Sequence, residues 1–225
     1  MYAHKITQYY RPAGELKGMS GNLDELNSNA HEKNIEHARE QIVRSMKPGN
    51  DPQLRQYGSL LLGQLKDSGG IDPLIHALRD PDKKVRAQAA RSLGVIGDPS
   101  VASLISLMDD PDWRVRYRAA EALGITRSHK AVPRLIAALE DPKDHVRYMA
   151  AKALGETGSD IAETALIARL TDDNEFVRRS TVTALGKTGG PAAKQALSVS
   201  LKTDPSDEVR KVIRNTIINL EKKVV

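Results

Sequence analysis

The residues best equipped for strong interactions in this chain recur at a fixed interval. Arg55, Arg86, Arg116, Arg147, Arg178 and Arg210 each follow a Val or Leu, at steps of 31, 30, 31, 31 and 32 positions. Asp80, Asp110, Asp141, Asp172 and Asp204 each stand six residues ahead of their arginine. A guanidinium and a carboxylate in constant register make charge-assisted hydrogen bonds, and the fork-to-fork form is among the stronger noncovalent links in a folded chain. A pair present in every copy serves the copy itself. The spacing therefore predicts a structural ladder knitting neighbouring loops, and no catalytic residue.

Partner choice must lie at positions that do not repeat. Around each marked arginine these are the residues three and two before it, and one, two and five after it. They give Lys83, Lys84 and Arg91 in the second copy, and Trp113, Arg114, Tyr117 and Arg118 in the third. The fourth copy contributes His145, Tyr148 and Met149, and the fifth Phe176 and Arg179. Trp113, Tyr117 and Glu121 are spaced i, i+4, i+8 and share one helical ridge. All five aromatics between Tyr57 and Phe176 occupy flanking positions of this kind. Large aromatics and Arg dominate binding hot spots, so these residues are the expected contacts of another protein. Trp113, Tyr117, Tyr148 and Phe176 are expected to anchor, and Lys84, Arg114, Arg118 and Arg179 to steer.

The remaining chemistry is sparse. The six histidines, His4, His31, His37, His76, His129 and His145, have no acidic companions at metal-site spacing, so no metal is expected. Without any Cys, thiolate sites, Cys nucleophiles and disulfides are excluded. There is no Gly-rich phosphate loop and no nucleophile elbow.

The elements that carry these residues are copies of one unit. The clearest is DPDWRVRYRAAEALG at Asp110–Gly124, with DPQLRQYGSLLLG and DPDKKVRAQAARSLG ahead of it. DPKDHVRYMAAKALG, DDNEFVRRSTVTALG and the worn DPSDEVRKVIRNTI come after it. A fixed period near 31 residues marks a repeat array. Within each unit a helix B is expected to begin at the Asp-Pro, with Asp as cap and Pro at the first helical position. Val115, Ala119, Ala120 and Leu123 lie at helical spacing and form its buried stripe. The Gly that closes each copy either lets helices approach closely or weakens the last turn. A helix A precedes each B, carrying Leu74, Ile75 and Leu78, then Leu104, Ile105 and Met108, and their later equivalents. No copy alternates as a strand would, so the fold class is all-α, a right-handed α-solenoid of two-helix repeats.

Residues 1–28 fall outside the period and read as a flexible N-terminal arm, interrupted by Gly14, Gly18 and Gly21. From about Asn29 to residue 49, Ile35, Ala38, Ile42 and Met46 mark a capping helix, so the solenoid spans 29–225. Aromatics make up only 4% of the 225 residues, so the core must be aliphatic. No stretch approaches the roughly 18 apolar residues of a membrane span, and no signal peptide is visible. A cytoplasmic protein is expected. The formal charge of +5 is mild. Lys83, Lys84, Arg91, Arg114 and Arg118 make one end of the row basic, whereas Asp144, Glu175, Asp207 and Glu208 make the other mixed. A nucleic-acid groove keeps one sign along its length, so this pattern favours a protein partner.

The motif D-P-x-x-x-V-R-x-x-A-A-x-x-L-G, recurring from about residue 50 to 220, resembles the HEAT-like repeat of the phycobilisome-lyase type. The resemblance implies an α-solenoid with B helices lining its concave face. It also implies roles ranging from bilin lyases and phycobilisome-degradation proteins to adaptors. Deoxyhypusine hydroxylases have a similar array but carry His-Glu pairs for two irons. Here the one His-Glu is His31-Glu32, outside the good copies. HEAT-like alkylpurine DNA glycosylases use Trp, Asp and Arg in a basic groove, and no motif aligns with theirs around Trp113. The expected function is a non-catalytic scaffold or adaptor that holds another protein on the concave face of its B helices and needs no cofactor. The alternative is an accessory factor of tetrapyrrole-protein chemistry, with a linear tetrapyrrole or tetrapyrrole-bearing protein as partner.

Overall fold

The computed structural model describes residues 22–222, with side chains from Lys33 onward. Twelve α-helices, and no strand among the described residues, build an α-solenoid. Helix α1 (Asn22–Ser45) leads the array. The B helices are α2 (Pro52–Leu65), α4 (Lys83–Ile96), α6 (Trp113–Thr126), α8 (Asp144–Thr157), α10 (Glu175–Thr188) and α12 (Asp207–Lys222). Between them run the A helices α3 (Ile71–Ala77), α5 (Asp98–Leu107), α7 (Val132–Ala137), α9 (Glu163–Ala168) and α11 (Pro191–Thr203). Each B helix packs on the next, and α1 packs on α2. No described helix is long and apolar enough to cross a membrane.

The aliphatic stripe forms the core. Val115, Ala119, Ala120 and Leu123 are fully buried, as are Leu93, Leu154 and Leu185 at the place of Leu123. Leu74, Leu104, Leu135 and Leu166 meet them from the A helices, also fully buried. The closing glycines serve close approach. A Cβ on Gly124 would sit 3.0 Å from Ala153 Cα, and one on Gly155 would sit 2.9 Å from Ala184 Cα. Only a residue without a side chain lets successive B helices touch there.

Two boundaries differ from the sequence reading. Helix α1 begins at Asn22, ahead of the Asn29 start that its polar residues suggested. No Gly or Pro lies between Asn22 and Ser45. Asn and Ser lower helix propensity by only about 0.5 kcal/mol each, which a 24-residue helix absorbs. Residues 1–21 of the expected arm lie outside the described residues.

The second difference concerns where helix B begins. Only α2 starts at its Asp-Pro, where Asp51 accepts hydrogen bonds from the Gln53 and Leu54 N–H groups. In the next four copies the helix begins three residues after the aspartate, capped by Asp82, Asp112 or Asn174 or following Lys143. Asp141, whose place before Pro142 biases it to extended backbone, has ψ of 136°, and Asp172, followed by Asp173, has ψ of 142° all the same. Their side chains make Asx turns instead, accepting from the N–H of Lys143 at 2.8 Å and Asn174 at 2.9 Å.

Candidate partner-binding surface

The Asx turn fixes one carboxylate per repeat at the mouth of helix B, and the arginine of the preceding repeat reaches it. Arg55 Nε and Nη2 donate to Asp80 at 2.7 and 2.9 Å. Arg116 grips Asp141 at 2.7 and 2.9 Å, and Arg147 grips Asp172 at 2.8 and 2.9 Å. Arg178 holds Asp204 at 2.8 and 3.2 Å. The third arm of each guanidinium, Nη1, donates to carbonyls of its own loop, as Arg116 does to Asp110 at 2.8 Å. Burial acts to raise the carboxyls of Asp80 and Asp172. The arginine bonds and the Asx-turn N–H outweigh it and hold both below the ordinary carboxylate range.

One expected rung is absent. Arg86 makes no ion pair with Asp110, which pairs instead with Arg79. The second repeat is a residue short: 24 positions separate Arg86 from Asp110, against 25 in the Arg55, Arg116 and Arg147 rungs. The shortening falls at Gly97, which ends α4 and caps α5 in a single residue with φ of +83°. Arg210, in the last copy, bonds to the Asp204 carbonyl and pairs with Asp207 inside its own helix.

The surface candidates flank the stripe, and Trp113, Tyr117 and Tyr148 pack partly against the core. Lys84, Arg114, His145 and Phe176 occupy equivalent positions and are all exposed, Phe176 at 58%. Lys83, Arg91 and Arg179 are exposed too, whereas Trp113, Tyr117, Tyr148 and Arg118 are half-buried. Met149 is a correction. It is 4% exposed and belongs to the core, because its position faces the neighbouring B helix. At the same place in α10, Ser180 is buried and donates to the Tyr148 carbonyl at 3.2 Å.

The aromatics gather cations. Arg114 and Lys143 lie 5.5 and 5.3 Å from the Trp113 ring centroid, and His145 stacks obliquely on it at 5.1 Å. Arg118 lies 5.1 Å from the Tyr117 centroid and Arg179 5.5 Å from that of Phe176. Each such contact contributes about 0.5–1 kcal/mol at exposed sites. Burial, with the Glu121 charge, raises the Tyr117 phenol above its ordinary range. Asp144 accepts from His145 at 2.8 Å and from Asn174 at 2.6 Å, and the His145 bond chiefly holds its carboxyl low. Several acids of this face are thus occupied: Glu121 by Arg118 and Glu156 by Lys187, at 2.5 and 2.6 Å. Lys83, Lys84, Arg91, Lys152 and Arg179 have no ion-pair partner among the described residues. Lys152 stands at a flanking position, five residues after Arg147, whereas Lys143 and Lys187 lie outside those positions. Between α8 and α10 the face opens into a groove of about 300 Å³ lined by Tyr148, Lys152, Arg179 and Lys187 among others.

Comparison with known proteins places this architecture. A family model described as HEAT repeats matches residues 38–105, 71–151, 101–182 and 132–217. No curated protein matches the chain. Among solved structures, the complex of CpcE and CpcF of phycocyanin lyase from Nostoc sp. PCC7120 is similar at 23% identity, with a TM-score of 0.54 over 90% of this chain and 77% of that one. A designed armadillo repeat protein in complex with the peptide (KR)4 is 19% identical, with a TM-score of 0.51 over 80% of this chain and 98% of that one. The archaeal HEAT-like repeats protein from Thermococcus onnurineus NA1 is 16% identical, with a TM-score of 0.51 over 84% of this chain and 89% of that one. At these identities the likeness is one of fold. The matched segments together span residues 38–217 of 225, and the chain belongs to the HEAT repeat family.

Proposed function

We propose that the protein is a non-catalytic scaffold that holds another protein on the concave face lined by its B helices. The observation that carries this is the placement of Trp113, Tyr117, Tyr148 and Phe176 beside the buried stripe, the first three resting partly on the core and Phe176 exposed, with an arginine over three of the four rings. Aromatics beside guanidinium groups give large contact area at low conformational cost. The unpaired Lys83, Lys84, Arg91, Lys152 and Arg179 suit a partner with acidic residues among its apolar ones. Affinity capture with the full chain tests the reading, using Phe176→Ala with Arg114→Ala as the face variant. Loss of a captured protein in that variant, at unchanged far-UV circular dichroism, supports the scaffold role.

A second reading has a tetrapyrrole-bearing protein as the partner. What favours it is the groove between α8 and α10, where Tyr148 supplies an aromatic wall and Lys152 and Arg179 supply cations for propionate groups, Lys187 being paired with Glu156. The solenoid's likeness to the phycocyanin lyase subunits agrees with it. Titration with a free bilin decides: a saturable shift in visible absorbance, weakened by Arg179→Ala, supports this partner, and an unchanged spectrum removes it.

A further inference from the structure

We infer that the guanidinium of Arg86 is a receptor for a carboxylate supplied from outside the chain. The protein contains its own template for such a site. In the Arg116 rung, Nη1 is pinned by the carbonyls of Asp110 and Pro111 at 2.8 and 3.2 Å. The Nε–Nη2 edge then grips the next repeat's aspartate. Arg178 repeats the arrangement, with Nη1 on the carbonyls of Asp172 and Asp173 at 2.9 and 3.3 Å. Arg86 is pinned in the same way, by the carbonyls of Asp80 and Pro81 at 2.6 and 2.8 Å. Its Nε–Nη2 edge has no partner among the described residues, because the shortened repeat brings Asp110 to Arg79 instead. Neither nitrogen is a buried orphan, so solvent reaches them.

Arg86 lines a cavity of about 270 Å³ together with Arg79, Asp80, Pro81, Asp112 and Arg114. The two carboxylates there are already engaged. Asp80 is held by Arg55, and Asp112 accepts the Arg114 N–H at 2.9 Å and lies 3.5 Å from its guanidinium. Arg86 is therefore the unmatched charge. A fixed guanidinium edge with two parallel donors fits a carboxylate, and holding the group beforehand removes much of the ordering cost of binding. The neighbouring aspartates favour a singly charged ligand over a phosphate dianion. The site does not depend on the B-helix face reading, since it is defined by the ligand's chemistry alone.

The test is an NMR titration of the ¹⁵N-labelled full chain, following arginine Nε–H signals. N-acetylglutamate amide supplies a side-chain carboxylate and N-acetylglycine a chain-terminal one, with sodium chloride and inorganic phosphate as controls. The expected result is a saturable shift of Arg86 Nε with a carboxylate, while Arg116, Arg147 and Arg178 stay in place. Tighter binding by one of the two carboxylates identifies the source it mimics. Arg86→Gln, read through the Arg79 and Arg114 signals, should weaken binding about 10- to 100-fold. The inference is overturned if Arg86 does not move, if chloride reproduces the shift, or if phosphate binds as well as the carboxylates do.

Discussion

Arg178 and Asp204, 26 positions apart, are joined by two parallel hydrogen bonds in a setting where their side chains retain only 8% and 2% of their exposure. This rung closes the last full junction of the solenoid. Asp204→Ala would leave a buried guanidinium without its anion, and such a loss destabilises by about 3–5 kcal/mol. Replacing both partners, as Arg178→Met with Asp204→Leu, should cost much less than the two single changes summed. Urea denaturation of the four proteins measures the coupling; additive effects would show that the pair does not act as a unit.

The helix contacts at the repeat glycines make a second prediction. Gly155→Ala would place its Cβ 3.0 Å from the Ala184 Cβ and 2.9 Å from that residue's Cα, so α8 and α10 must move apart. Overpacking of this kind costs about 1–3 kcal/mol. Gly97→Ala has nothing within 4 Å, but its φ of +83° is unfavourable for any residue with a side chain. Both should lower the thermal midpoint. Only Gly155→Ala should also loosen the α8–α10 junction, seen as faster amide exchange in both helices.

The carboxyls of Asp80 and Asp172 lie below their ordinary value in the folded chain, so the unfolded chain binds more protons as the medium is acidified. Their contribution is complete above the unfolded carboxylate pKa of about 3.9 and is lost as pH falls through the lower folded values. Urea midpoints should therefore be flat from neutrality to about pH 5 and fall below about pH 4. Asp80→Asn should give a shallower fall, and a slope unchanged by that substitution would remove the rung from the acid response.

The period was legible because every copy must bury the same aliphatic stripe and bond the same loop. What periodicity hides is what differs between copies. The 30-residue step between Arg86 and Arg116 was visible, but its consequence, Arg79 taking Asp110, depends on how Gly97 absorbs the missing residue. Met149 shares a position with Arg118, and a helical wheel cannot say that the position faces the next B helix. Asp-Pro reads as a helix start, yet the bond from the preceding repeat's arginine holds the aspartate in a turn, and that bond is long-range. Lys143 joins Trp113 only across a repeat junction.

The scaffold reading is tested most directly by comparing two equally exposed apolar residues on different helices. Phe176, on α10, and Val199, on α11, are each 58% exposed. Affinity capture would use the unaltered chain, Phe176→Ala with Arg114→Ala, and Val199→Ala, each checked for helical content. The account predicts a protein retained by the unaltered chain and by Val199→Ala, and lost with the Phe176 and Arg114 substitutions. Equal capture by all three, or loss with Val199→Ala alone, would contradict it.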